Sequence, residues 1–363
     1  MDFEDLKYRN IEDVSKLIEK GQICPEELTC FYLEKISLDH KSKDVFTKVL
    51  RKSALDSAKE SKKRTKAGLR RGILDGIPIS VKDLADVKGH LTRGGSSLTS
   101  TKKAKGNALF IDNLQSQGVI ILGKTHMTEL AFSGLGLNTT TATPPNPFNE
   151  NLVSGGSSSG SAVSVSRNYC LASIGSDTGG SVRIPAAWNN LVGLKTTHGA
   201  IDLTGVLKLC PSFDTLGPIC KSVKDTQLLF DAMSNRKSQK LKRLKPENFN
   251  FLIIKNMFFD DISSEIEEGF NIAIEKIIKS GATIEYKNFS EIDSAFEISK
   301  IVFPAEAYGI WHHEIEENPE KMFAPIRERF RSGRNILAHD YIFSLHELLD
   351  LRERFLQKVI GLT

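Results

Sequence analysis

Ser154-Gly155-Gly156-Ser157-Ser158-Ser159-Gly160-Ser161-Ala162 and Gly175-Ser176-Asp177-Thr178-Gly179-Gly180-Ser181-Val182-Arg183-Ile184-Pro185 lie on either side of the apolar run Leu171–Ile174. A flexible linker can share this Gly/Ser composition. It would not enclose a strand-like run, nor close on Arg183-Ile184-Pro185. The pattern fits a buried strand with a tight backbone loop at each end. Glycine has a physical use in such loops: without a Cβ the backbone approaches a ligand closely, and successive N–H groups can converge on one anionic oxygen. Thr178, Gly179, Gly180 and Ser181 are therefore candidates for an oxyanion hole, with Ser181 as a candidate nucleophile in acyl transfer.

Outward from this region, strands and helices alternate. Ile77–Val81, Val119–Leu122, Leu171–Ile174, Phe251–Ile254 and Thr283–Tyr286 read as short buried strands. Asn107–Gln117 has helical character, and Ile262–Lys279 is an amphipathic helix closed by Gly281. This repetition predicts the α/β class, a mixed and mostly parallel sheet covered by helices on both faces. The beginning of the chain reads as helical. Ile11–Lys20 stops at Gly21, and Pro25 starts a helix whose Glu26 and Glu27 suit the positive end of its dipole. Ser53–Arg71 reads as a basic helix, a solvated face in preference to an RNA contact. Arg236–Pro246 is basic, poor in apolar residues and suited to a surface connection, and after residue 290 helix dominates. The expected organisation is a single domain over 1–363, with a helical N-terminal stretch over residues 1–72, a core over 73–233 and a mainly helical stretch over 234–363.

Composition sets limits. Of the 363 residues 40% are apolar and 26% charged, as in an ordinary globular protein. A net charge of +4 does not demand a nucleic-acid or membrane partner. No apolar run approaches a bilayer span, and the acidic start Met1-Asp2-Phe3-Glu4-Asp5 is unlike a secretory signal. Five cysteines, an odd number without paired spacing, predict neither a disulfide framework nor a metal site, and point to a cytoplasmic setting.

A serine hydroxyl needs a base. Of the eight histidines, His126 and His198 are nearest the motifs and neither belongs to a base-plus-carboxylate pattern, while His312-His313-Glu314 resembles a metal fragment whose adjacent residues would point in different directions on a helix. Lys82 closes the apolar segment Pro78-Ile79-Ser80-Val81. Burial there would disfavour its charged form and free a neutral amine. Taken alone, a strand-end lysine at the surface is the commoner reading. Gly156-Ser157-Ser158-Ser159-Gly160 also fits the G-x-S-x-G elbow, which would make Ser158 the nucleophile, but Glu150–Gly155 is a poor strand to precede it.

Gly76-Ile77-Pro78-Ile79-Ser80-Val81-Lys82-Asp83, the cluster Gly155–Ala162 and Gly175–Pro185 resemble three successive blocks of the amidase signature family. The separations agree too: Lys82 to Ser157 is 75 residues and Ser157 to Ser181 is 24. Supporting similarity runs from about residue 30 through Gly193-Leu194-Lys195 and Asp214-Thr215-Leu216-Gly217-Pro218 to about residue 233. The resemblance implies an amidase-signature fold and hydrolysis of a carbon–nitrogen bond through an acyl-enzyme. It implies Lys82 as base, Ser157 as bridging serine on a cis peptide and Ser181 as nucleophile, with the N–H groups of Thr178 to Ser181 holding the oxyanion. Asp177 and Arg183 would support the loop. No metal or organic cofactor is implied, and the partner would be a small-molecule amide. A homodimer remains open.

The resemblance leaves two activities within the family. One is a stand-alone amidase releasing ammonia or an amine. The other is the glutaminase (A) subunit of a tRNA-dependent amidotransferase, the one setting that would bring in nucleic acid. Asp83-Leu84-Ala85-Asp86, the segment Glu129–Asn138 and the triple serine 157–159 look more like stand-alone amidases. Family members generally continue beyond the position of Thr363, so a truncated, catalytically inactive homologue is a further reading. Phe303, Tyr308 and Trp311 are candidates to line an acyl pocket, with ordinary helix packing as the plainer expectation.

Overall fold

The computed structural model describes residues 3–99, 101–236 and 244–360. Two compact units form, Met1–Ser238 with Ala307–Arg331, and Gln239–Glu306 with Ser332–Thr363.

The first unit is built on six strands: Phe46–Val49 (β1), Pro78–Lys82 (β2), Ile120–Thr125 (β3), Ala172–Asp177 (β4), Val192–Gly193 (β5) and Thr215–Cys220 (β6). Their order across the sheet is β1-β3-β2-β4-β6-β5. The central strands β2, β3, β4 and β6 are buried at every residue, which explains why β2 and β3 lack the alternation of a half-exposed strand. Pro78 occupies the first position of β2, where the missing N–H is tolerated. The class is α/β with a mixed sheet, as expected. Parallel pairing is confined to the centre, where β2 lies between β3 and β4, whereas β1–β3, β4–β6 and β5–β6 are antiparallel.

Helices pack around this sheet. Ile11–Glu19 is capped by Asn10, whose side chain accepts the Asp13 N–H. Pro25–Leu38 begins on its proline and packs against Arg51–Lys66. The latter ends well before Arg71, because Gly68 adopts φ +69°, outside the helical region. Ser159–Ser166 follows the first Gly/Ser cluster directly and is buried over Ser159–Val165 against β2, β3, β4 and β6. Leu109–Ser116 and Val223–Met233 pack together, the second also on β6.

The second unit has two parallel strands, Asn250–Ile254 (β7) and Thr283–Lys287 (β8), joined through the helix Ser264–Lys279. Helix then dominates over residues 290–306, the first part of the helix Ser290–Glu317, and over Ala338–Ile360. Of the connection expected over Arg236–Pro246, residues 237–243 lie outside the described residues. Among the described residues no helix is long and apolar enough to cross a membrane.

Candidate active site

The parallel centre of the sheet brings the sequence candidates together. β2 and β4 run side by side with Val81 opposite Ile174, so Lys82 ends one strand beside Ser176 and Asp177 on the other. Ligand sites form at such carboxyl ends of parallel strands because the loops leave the sheet there together. Lys82 is 2% exposed. Its Nζ donates to Ser157 Oγ at 2.6 Å and to Ser176 Oγ at 2.8 Å. Among the described residues no carboxylate forms an ion pair with it. Burial lowers its pKa to about 7, and the more distant Asp177 and Asp214 only partly oppose this.

Ser157 is buried just ahead of the helix Ser159–Ser166, and the Gly156–Ser157 peptide bond is cis. Gly156 has no room for a side chain: a Cβ there would come within 2.7 Å of both Gly136 N and Thr128 Oγ1. The backbone around Ser157 is held from two sides. Thr128 N–H donates to Ser157 O at 3.1 Å, and Gly156 N–H donates to Gly134 O at 2.7 Å.

Ser181 lies in the loop after β4 and is tied to the first cluster by the Ser158 N–H, which donates to Ser181 O at 3.2 Å. The residue is 7% exposed, and among the described residues its hydroxyl makes no hydrogen bond. Lys82 and Ser157 are therefore joined directly, while Ser181 is drawn to them through backbone. Asp177 shapes this loop. It accepts the N–H groups of Gly180 (2.7 Å), Val182 (3.2 Å) and Arg183 (3.3 Å), and the Arg183 guanidinium grips both its oxygens at 2.9 Å. Burial would raise its pKa, but Arg183 and these amides outweigh that and hold it below the ordinary carboxylate range. The Gly180 amide is thus engaged inward. The Thr178, Gly179 and Ser181 N–H groups have no hydrogen-bond partner among the described residues. They are the donors left for an anion.

Ser158 faces elsewhere. Fully buried, its hydroxyl donates to Ser176 O at 3.2 Å and accepts Ser176 N–H at 3.3 Å, an arrangement that pins the helix to β4 and leaves no room for attack on a substrate. Three further participants are not apparent in the sequence reading. Ser176 becomes a second partner of Lys82 only through the β2–β4 register. Asp214 accepts Thr178 Oγ1 at 2.6 Å and the Leu209 and Cys210 N–H groups, linking two loops. Lys124 pairs with Asp83 at 2.7 Å in the interior, so the carboxylate next to Lys82 in sequence is committed to a different amine. Trp311 donates through Nε1 to Lys208 O at 2.9 Å and lines a small apolar cavity with Leu84, Met127, Leu130 and Leu207. The Tyr308 and His312 rings lie 5.9 Å apart and tilted by 44°.

Comparison with known proteins follows the same lines. The family model described as Amidase matches residues 27–356. The chain is 31% identical over 317 residues to the A subunit of glutamyl-tRNA(Gln) amidotransferase from Ruminiclostridium cellulolyticum, covering 84% of this chain and 65% of that relative. It is 33% identical over 278 residues to 2-amino-5-chloromuconic acid deaminase of Comamonas testosteroni, covering 75% and 60%. The chain thus spans less than two thirds of the length of both curated relatives. A crystal structure of an amidase superposes with a TM-score of 0.89 at 28% identity, over 96% of this chain and 79% of that one. Sequence comparison does not support the expected lean toward stand-alone amidases, while the structural neighbour is an amidase. Three loops gathered on one sheet and a family match over most of the length agree: the chain belongs to the Amidase family.

Proposed function

We propose that the protein is a serine amidase in which Lys82 is the base, Ser157 the relay and Ser181 the nucleophile. The observation that carries this is the buried Lys82 amine, 2.6 Å from Ser157 Oγ, lacking an ion-pair partner among the described residues and with a pKa lowered to about 7. A neutral amine has one lone pair, so the Ser157 hydroxyl can turn and donate its proton to Nζ. Ser157 Oγ then accepts the Ser181 proton as Ser181 Oγ forms a bond to the amide carbon. Contacts of this kind often tighten only when substrate is present. Negative charge on the carbonyl oxygen is met by the unengaged N–H groups of Thr178, Gly179 and Ser181. The proton returns through Ser157 to the amide nitrogen, the C–N bond breaks and ammonia or an amine leaves. Water attacks the acyl-enzyme by the same relay in reverse. Side chains and backbone supply every step of this relay, in a small-molecule amide hydrolase placed in the cytoplasm.

A fluorophosphonate probe tests the assignment. Covalent label on Ser181 is expected in the wild type and absent in Ser181→Ala, with strong loss in Ser157→Ala and Lys82→Met. Label on Ser158 would sink the assignment. Release of ammonia or amine from a panel of primary amides and ureido compounds then defines the substrate.

Glutaminase activity within a tRNA-dependent amidotransferase is the second reading, favoured by the similarity to the A subunits of such enzymes. The two separate on one assay. Ammonia from glutamine only in the presence of partner subunits with charged tRNA selects the glutaminase, whereas turnover of other amides by the chain alone selects the stand-alone enzyme.

A further inference from the structure

Glu129 is 1% exposed, yet it has no place in the proton relay just described. Its Oε1 accepts the Ser96 hydroxyl at 2.8 Å and its Oε2 accepts the Phe323 N–H at 3.0 Å, both neutral donors. Burial pushes its pKa up, and those donors, together with the Thr140 side chain, only partly oppose this. Among the described residues no cation pairs with it, so these neutral hydrogen bonds must offset the cost of burying the carboxyl.

The segment it anchors is unusual. Leu130 and Ala131, directly after it, adopt φ +45° and +63°, a left-handed conformation that non-glycine residues disfavour. Surrounding contacts must hold such a turn in place. Those contacts include the Glu129 bonds to Ser96 and Phe323, the Leu130 N–H on Gly94 O at 2.7 Å, and Arg329 Nη1 on Phe132 O at 2.8 Å. The same turn brackets the relay serine through the Thr128 N–H and the Gly134 carbonyl. Gly136 fits so closely that a Cβ would reach Gly155 O at 2.4 Å.

Resting on the proposed roles of Ser157 and Ser181, we infer that Glu129 is a positioning residue: by anchoring the Thr128–Gly136 turn it fixes the Gly156–Ser157 backbone and thereby aims Ser157 Oγ at Lys82. It touches neither substrate nor reacting atoms, and its effect is on the rate at which Ser181 is activated.

The labelling rate of Ser181 by a fluorophosphonate, measured beside the melting temperature of each variant, tests this. Glu129→Ala is expected to label at least about tenfold more slowly than wild type while remaining folded, because small misplacements of a catalytic group are costly in rate. Glu129→Gln keeps an acceptor for Phe323 N–H and can donate to Ser96 Oγ, and is expected to label within about twofold of wild type. Equal rates for Glu129→Ala and wild type overturn the inference and leave the assignment of Ser181 standing. Equal slowing in Glu129→Gln also overturns it, since the acid rather than the anchor would then matter. If Glu129→Ala does not fold, Ser96→Ala decides: slowing of about threefold at an unchanged melting temperature supports the anchor, and a wild-type rate overturns it. A wild type that takes no label removes the assignment of Ser181 and this inference with it.

Discussion

Lys82 concentrates the chemistry in one buried amine, and its surroundings make its behaviour measurable. Catalysis through a neutral amine requires deprotonation, so kcat/KM is expected to rise with pH and level off above a midpoint near 7. A pH–rate profile checks this; a profile flat from pH 5 to 9 contradicts a lysine base. The same shift affects stability. Lys82 holds its proton to about pH 10.4 in the unfolded chain but only to about 7 when folded, so the unfolded state binds more protons between those values. Stability from this group is therefore lowest below pH 7 and is regained as pH rises toward 10. Lys82→Met removes the penalty: it is expected to abolish activity yet raise stability at pH 7 by roughly 1–3 kcal/mol, a gain that shrinks at higher pH in denaturant titrations. Ser181 is legible as a candidate because glycine spacing is a local property, whereas Lys82 stands out only through the family resemblance, its apolar flank alone reading as a surface strand end. Ser176 is not, since only strand register places it against the amine.

At the scale of elements, the loop between β4 and the helix Arg183–Trp188 depends on a single carboxylate. Asp177 occupies three backbone amides and a guanidinium, leaving the loop's other amides available. In Asp177→Asn an amide NH₂ would face N–H donors, at a cost of about 2–3 kcal/mol in stability. Activity is expected to fall by about 10²–10³ if the loop's donors stabilise an oxyanion. Thermal melts and kinetics on the one variant check both. Strands β2, β3, β4, β7 and β8 are readable as apolar runs, but β6 is not. Gly217 and Pro218 interrupt its pattern, and Pro within a strand ordinarily argues against one. Tertiary contact explains the glycine, since a Cβ on Gly217 would meet Leu194 O at 2.0 Å; Pro218 still serves the ladder through its carbonyl, which accepts the Leu194 N–H. β1 escapes notice because only four residues follow a short helical turn, with mixed burial.

Across the whole molecule, the two compact units differ in how much they bury. The first holds the large apolar cluster running from Leu6 to Met233, whereas the second buries few large apolar side chains among its described residues, chiefly Ile253, Phe289, Val302 and Leu351. A two-stranded sheet is weakly stable by itself. Backbone amides of β7 and β8 are therefore expected to exchange with deuterium faster than those of β2, β3 and β4, and unfolding is expected to depart from a single transition. Equal protection across both sheets in a hydrogen-exchange experiment would contradict this. Read alone, the chain already yields the α/β class, strands β2, β3 and β4 and the glycine-rich loops, because apolar runs and glycine placement act over a few neighbouring residues; the candidate Lys82 and Ser157 come from the resemblance to a family. Tertiary structure alone decided which strands pair antiparallel, that Lys124 rather than Lys82 takes Asp83, that Gly180 turns its amide to Asp177, and that Glu129 reaches Phe323. Most of these depend on partners dozens to hundreds of residues apart being packed to within hydrogen-bond distance, and no local pattern encodes that.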